Sequence, residues 1–276
     1  MLSISVNLMS SGVCMEIGVR AGNPAKARYQ CIVVGVYENN ELTASARLLD
    51  QASKGYLRKI LKRGDIAGKI GQSMLLNDVP EINAPRVLLI GLGKNDANDY
   101  QKFIQAMTAA APAMRRIVGK NILCCLLDAN AGDQDLTWKT IRLLEQVYAT
   151  NYRFDEMRGE PPKEINTTEQ FDLFVTDKAL NDAVDVGIKQ ASALAAGMAS
   201  AKNLGNTPGN ICTPTYLAEQ SIALAKQYAS LTAEVLDEEA MEKLGMGALL
   251  SVGYGSAQPS KLIVISHKGT KPKEAP

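Results

Sequence analysis

CIVVGV, residues 31–36, is a continuous apolar run rich in Val and Ile and bounded by polar residues. A strand with one wet face alternates apolar and polar side chains, whereas a strand covered on both faces reads as an unbroken apolar run. This stretch therefore predicts a buried strand. Similar runs follow at 72–77 (QSMLLN), 86–91 (RVLLIG), 121–127 (NILCCLL) and 171–175 (FDLFV). Helical stripes separate them. Leu42, Leu49, Ala52, Tyr56 and Ile60 share one face over 42–61, and Gly64 closes that helix. Phe103, Met107, Ala110, Met114 and Val118 do the same over 100–118, where Pro112 predicts a kink or a break. Ile141, Leu144 and Tyr148 mark a helix over 136–152. Strands alternating with helices predict an α/β layered domain over residues 15–176. GEPPKE, 159–164, reads as a surface loop ahead of its last strand.

A second segment, 177–276, opens with a long helical stripe through Leu180, Val184, Ile188, Ala191, Ala195 and Met198. The Asn/Gly/Pro-rich turn NLGNTPGNICTP follows. Thr213-Pro214 then reads as an N-cap with proline at the first helical position, starting a helix that runs to about Tyr228. TAEVL (232–236) predicts a strand, and Asp237 caps a short helix ended by Gly245. Gly247, Gly253 and Gly255 mark a tight turn region, and KLIVIS (261–266) reads as another buried strand. Residues 1–14 carry no Lys or Arg, which excludes the positive region of a secretory signal. Leu2, Ile4, Val6 and Leu8 alternate there, a pattern that fits a strand without requiring one. Met15 sits in a plausible start context, so 1–14 is read as a dispensable extension.

Composition bounds the function. The 276 residues hold 30 Lys+Arg against 29 Asp+Glu, a net charge of +1. That balance gives no support to nucleic acid or an anionic membrane as a partner. No stretch approaches the ~18 apolar residues of a membrane span. Cys14, Cys31, Cys124, Cys125 and Cys212 are odd in number and match no zinc spacing. Cys31 and the Cys124-Cys125 pair sit in apolar runs as small core hydrophobes, which fits a reducing cytoplasm.

Candidate chemistry is thin. GLGK (91–94) sits between a strand and a helix, where a glycine turn can cradle phosphate. The dinucleotide pattern fails at Asp96, and the phosphate-loop pattern fails because Asn95 follows Lys94. A turn that needs glycine for its backbone geometry explains Gly91 and Gly93. His267 has no partner triad. Asp237, Glu238 and Glu239 form an acidic cluster, for which capping and a favourable helix dipole suffice. The Asn206–Asn210 turn is the least ordinary feature. Read as buried, it needs hydrogen bonds for its peptide groups, and Asn side chains supply them.

Three blocks, in order, carry a resemblance. NLGNTPGNICTPTYLAE (203–219) is similar to the N-x-x-N-x-P-x-N element of leucyl aminopeptidases. MEKLGMGALLSVGYGSAQPSKLIVISHKG (241–269) resembles the segment that follows it in those enzymes. CIVVGVYE, SKGYLRKILKRGDIAGKIGQSMLL and RVLLIGLGK resemble their N-terminal domain. The resemblance implies an N-terminal mixed-sheet α/β sandwich domain at 15–176. It implies that 177–276 is the start of an α/β aminopeptidase catalytic domain, incomplete here. Relatives release N-terminal amino acids from peptides with two divalent metals (Mn, Zn or Mg), and typically assemble as cytoplasmic hexamers.

In that family the metal ligands follow the V-G-x-G-S segment. They lie in a V-G-K-G-x-T-F-D-S-G-G block and an N-T-D-A-E-G-R block that also carries the catalytic arginine. Neither block occurs in these residues. Lys268-Gly269 belongs to the preceding S-H-K-G turn, with no aspartate after it. No catalytic, cofactor-binding or metal residue is therefore assigned, and no cofactor is expected to bind this chain alone. The expectation is a leucyl aminopeptidase fragment cut before its metal site and inactive by itself. The rival expectation is a non-catalytic binding or oligomer-assembly module built on the first domain. A domain cut in this way should also expose an apolar patch, because KLIVIS would be left at an edge.

Overall fold

A computed structural model describes residues 4–7, 14–96, 99–157, 159–160 and 168–269. The chain divides into two compact units, Met1–Ala199 and Ser200–Pro276.

The first unit is built on a seven-stranded mixed sheet. In chain order its elements are β1 (Ile4–Asn7), β2 (Cys14–Ala21), β3 (Cys31–Val36), α1 (Ala44–Ala52), α2 (Tyr56–Arg63), β4 (Ser73–Asn77) and β5 (Arg86–Gly91). They continue with α3 (Tyr100–Arg115), β6 (Asn121–Cys124), α4 (Leu136–Asn151), β7 (Gln170–Val175) and α5 (Asn181–Asn206). The strand order is β1-β2-β7-β6-β3-β5-β4. Five inner strands are parallel, and β1 and β4 run antiparallel at the two edges.

The apolar run at 31–36 is the centre of this sheet. β3 lies between β5 and β6, and Ile32, Val33, Val34 and Val36 are fully buried. Its side chains divide by parity. Cys31 and Val33 face the cluster built from α3, α4 and α5, through Phe103, Met107, Leu144, Val147, Val184 and Ile188. Ile32, Val34 and Val36 face the cluster of α1 and α2, through Ala46, Leu49, Leu57 and Ile60. The continuous pattern thus reports two covered faces, and each fully buried Val or Ile contributes about 1.5–3 kcal/mol.

Four local readings change. The helix expected over 42–61 is two helices. Ser53–Gly55 breaks it, with left-handed backbone at Lys54 and at Gly55 (φ 56° and 80°). The apolar stripe runs across the break because both helices face the same cluster. The strand expected over 121–127 ends at Cys124, and Leu126–Asp128 turns as a 3-10 helix. Helix α3 passes through Pro112 without a break. Pro112 forgoes the hydrogen bond to the Thr108 carbonyl, and the helix runs only three residues further, to Arg115. β2 was not anticipated. Its run CMEIGVRA mixes polar residues and glycine among Met15, Ile17 and Val19, and it pairs with β7 in parallel. Of residues 1–14, Ile4–Asn7 pair with Cys14–Ile17 as an edge strand. Leu2 and Leu8 lie outside the described residues, as do residues 161–164 of the GEPPKE loop.

The second unit holds α6 (Pro214–Gln227), β8 (Leu231–Leu236), α7 (Glu238–Lys243), α8 (Gly247–Gly253) and β9 (Leu262–His267). Thr213 caps α6 through the Tyr216 N–H, with Pro214 at the first helical position as expected. The glycine region at 247–253 is a helix instead of a turn, since ALLSV supplies helix formers between Gly247 and Gly253. β8 and β9 form an antiparallel two-stranded sheet. β9 was expected to be buried with neighbours on both sides. Among the described residues it pairs with β8 alone, and Val264 and Ile265 are 42% and 47% exposed. Val252 (84%) and Tyr254 (78%) are also exposed.

Candidate functional site

Each sequence candidate has a structural explanation. In the GLGK segment, the Gly91 N–H donates to the Gln72 carbonyl at 2.9 Å and the Leu92 N–H to Val36 at 2.9 Å. The Gly93 N–H donates to the Gly68 carbonyl at 2.8 Å, and the Gly93 carbonyl accepts from the Glu38 N–H at 2.9 Å. Amides committed to carbonyls are not free to cradle phosphate. The next residues lie over a shallow cleft lined by Tyr37, Lys94, Asp96, Lys102, Phe103 and Asn130. Lys102 of this lining is not free either. Lys102 pairs with Asp96 and, at 3.4 Å, with Asp99.

The acidic cluster is likewise consumed. Asp237 accepts from the Ala240 N–H at 2.9 Å as the cap of α7. Glu239 pairs with Lys243 at 2.6 Å, and Glu238 accepts from the Ser260 N–H at 2.8 Å. His267 is exposed at the end of β9, opposite Leu231. The turn after α5 is exposed at Asn206 and at Pro208–Asn210, not buried as the sequence suggested. Its bonds include the Thr207 N–H and hydroxyl donating to the Asn203 carbonyl at 2.9 and 2.8 Å. The Ile211 and Cys212 N–H groups donate to Pro208 at 2.9 and 2.8 Å. Burial pushes the Cys31 and Cys124 thiols up to about 12, and Cys125 well above its ordinary value. Such thiols are inert core groups. Among the described residues no three His, Cys, Asp or Glu side chains gather to hold a metal. Among the described residues no side-chain set fits the two-metal centre that the resemblance implies.

Two aspartates escaped the sequence reading, Asp172 buried and Asp128 half-buried. Asp172, 2% exposed, interrupts the apolar run of β7. It accepts from Arg20 Nε at 2.8 Å, the Tyr29 hydroxyl at 2.5 Å and Gln170 Nε2 at 2.9 Å. Burial and the adjacent carboxylate raise the Tyr29 phenol well above its usual range. Asp128 follows β6 and accepts from the Ser45 N–H, in the first turn of α1, at 2.6 Å. Burial raises its carboxyl, opposed by that N–H and by the Lys139 ammonium. Lys139 donates to the Ala129 carbonyl at 2.7 Å, and burial lowers it. A charged residue inside a buried run was the available signal for both, since such a group needs paired donors.

Comparison with known proteins follows the same division of the chain. The profile of the cytosol aminopeptidase family's N-terminal domain matches residues 33–161, and that of its catalytic domain matches 199–276. The chain belongs to the cytosol aminopeptidase family. A probable cytosol aminopeptidase of Methylobacillus flagellatus is 40% identical over 262 residues, covering 95% of this chain and 53% of its own length. A relative of the same name in Nitrosococcus oceani is 38% identical, covering 95% and 52%. The chain therefore spans about half the length of the curated cytosol aminopeptidases it matches. Among solved structures, a tomato leucine aminopeptidase mutant superimposes with a TM-score of 0.74 at 24% identity, over 97% of this chain and 53% of its own. The bottromycin maturation enzyme BotP in complex with Mn gives 0.63 at 22% identity, over 86% and 45%. At those identities the likeness establishes the fold. No helix among the described residues is long and apolar enough to cross a membrane.

Proposed function

We propose that this chain is the N-terminal portion of a cytoplasmic peptide hydrolase. In that reading the whole protein releases N-terminal amino acids from peptides with two divalent metals (Mn, Zn or Mg), assembled as a hexamer. Residues 1–276 would supply the whole first domain and the opening of the catalytic domain. The observation that carries the reading is the ordered match to both domain profiles of one family. Among the described residues no metal set gathers, so no catalytic step is assigned to this chain. It is inactive alone. The test is hydrolysis of a leucyl chromogenic substrate by pure chain with added manganese. The expected result is no turnover above the buffer blank. Manganese-dependent turnover that chelation removes would overturn the reading.

A second reading has its own observation. The first unit buries both faces of its sheet, while the second leaves Val252, Tyr254, Val264 and Ile265 exposed. The first unit could thus persist as a non-catalytic binding or assembly module. Limited proteolysis is expected to leave a resistant core ending near residue 199, where the first unit ends. Equal resistance of residues 200–269 would argue against a separable module.

A further inference from the structure

In open parallel sheets, ligands bind outside the carboxyl ends of the strands, where successive crossovers depart in opposite directions. That point lies between β3 and β6 here. From β3 the chain passes through α1 and α2 toward β5 on one side; from β6 it passes through α4 toward β7 on the other. The two departing loops would normally part to leave a crevice, with the N-terminus of α1 at its wall. The N-terminal N–H groups of a helix, with their partial positive charge, favour an anion there.

In this chain the anion is its own carboxylate. Asp128, on the loop after β6, accepts from the Ser45 N–H of α1 at 2.6 Å. A second bond joins the same loops, from the Asn130 N–H to the Tyr37 hydroxyl at 2.7 Å. The site is not fully satisfied by this closure. Ser45 is fully buried and its side chain lies beside the Asp128 carboxylate. Yet Ser45 Oγ and Asp128 Oδ1 are both buried without a hydrogen-bond partner. A donor left unused at a helix N-terminus is a group an anion with more oxygens could satisfy, and each such orphan in a native structure calls for a reason.

We propose that Asp128 is a built-in plug at the switch point: it holds the anion position at the N-terminus of α1 and closes that crevice to phosphate-bearing ligands. Removing the carboxylate opens the position, with the Ser45 N–H and hydroxyl as its donors. The test is thermal melting of the full chain in inorganic phosphate against sodium chloride of equal ionic strength. Wild type is expected to melt at the same temperature in both. Asp128→Ser and Asp128→Ala, which both clear the position, are each expected to gain a saturable rise. Ligand binding to the native state must raise Tm, by about 3 °C at ten times Kd for a unit of this size. The alanine variant carries the test if the serine variant does not fold. Saturable stabilisation of wild type by phosphate overturns the proposal, as does the absence of any gain in the folded variants.

Discussion

Asp172→Ala is expected to lower the unfolding free energy of the first unit by about 3 kcal/mol. The carboxylate is nearly fully buried and takes three donors from three places: Arg20 on β2, Tyr29 ahead of β3, and Gln170 on its own strand. Removing the acceptor strips the Tyr29 hydroxyl and Gln170 Nε2 of this partner, while Arg20 Nε keeps its bond to the Tyr29 oxygen at 3.2 Å. The cost of a broken buried pair is chiefly this desolvation, about 3–5 kcal/mol for a fully buried pair. The Arg20 side chain is 37% exposed and regains water, which places the expectation at the lower end. Asp172→Asn keeps one oxygen acceptor and should lose about half as much. Tyr29→Phe removes a single bond and should lose about 1 kcal/mol. Trp138 is the only tryptophan and lies on α4, so its fluorescence in a urea titration reads this unit directly. An alanine variant with an unchanged midpoint would show that the network adds nothing.

The same residue explains what could and could not be read from the sequence. β3, β5 and β7 were legible because parallel strands covered on both faces are written as unbroken apolar runs. Asp172 sits inside one such run and looks like noise until its donors are known. Those donors come from positions 20, 29 and 170, and only folding brings them together. β2 went unread for a related reason. Glycine at position 18 faces Asp172 in the register, where a Cβ would stand 2.6 Å from its Oδ1. The residue that makes room for the carboxylate thus weakens the strand pattern. In the second unit the composition of β9 was read correctly as a strand, but its burial was inferred from apolarity. Burial depends on neighbours, and β8 is the one strand beside it among the described residues. The family was legible through three ordered blocks. A metal site was not, because the acidic residues at 237–239 are held by capping and local pairing.

Gly68→Ala is expected to be the most damaging single substitution in the chain, costing about 4 kcal/mol or preventing folding. Two effects combine. Gly68 has a φ of 75°, where a Cβ costs about 1–2 kcal/mol by itself. An added Cβ would also stand 2.2 Å from the Tyr37 carbonyl oxygen and 2.7 Å from the Glu38 nitrogen. Both are backbone atoms of the loop after β3, which cannot swing aside as a side chain would. The Gly68 carbonyl receives the Gly93 N–H, and the Gly93 carbonyl receives the Glu38 N–H, so moving any one strand-end loop moves all three. Gly91 belongs to the same knot, with Lys69 O 2.1 Å from its would-be Cβ. The glycines that suggested a phosphate loop are thus required by three backbones meeting at the carboxyl end of the sheet. Gly55→Ala separates the two effects. Its φ is 80° but nothing lies within 4 Å of the added Cβ, so only the backbone cost of about 1–2 kcal/mol should appear. Measured by Trp138 fluorescence in urea, equal losses for the Gly55 and Gly68 variants would show that the close approach carries no weight.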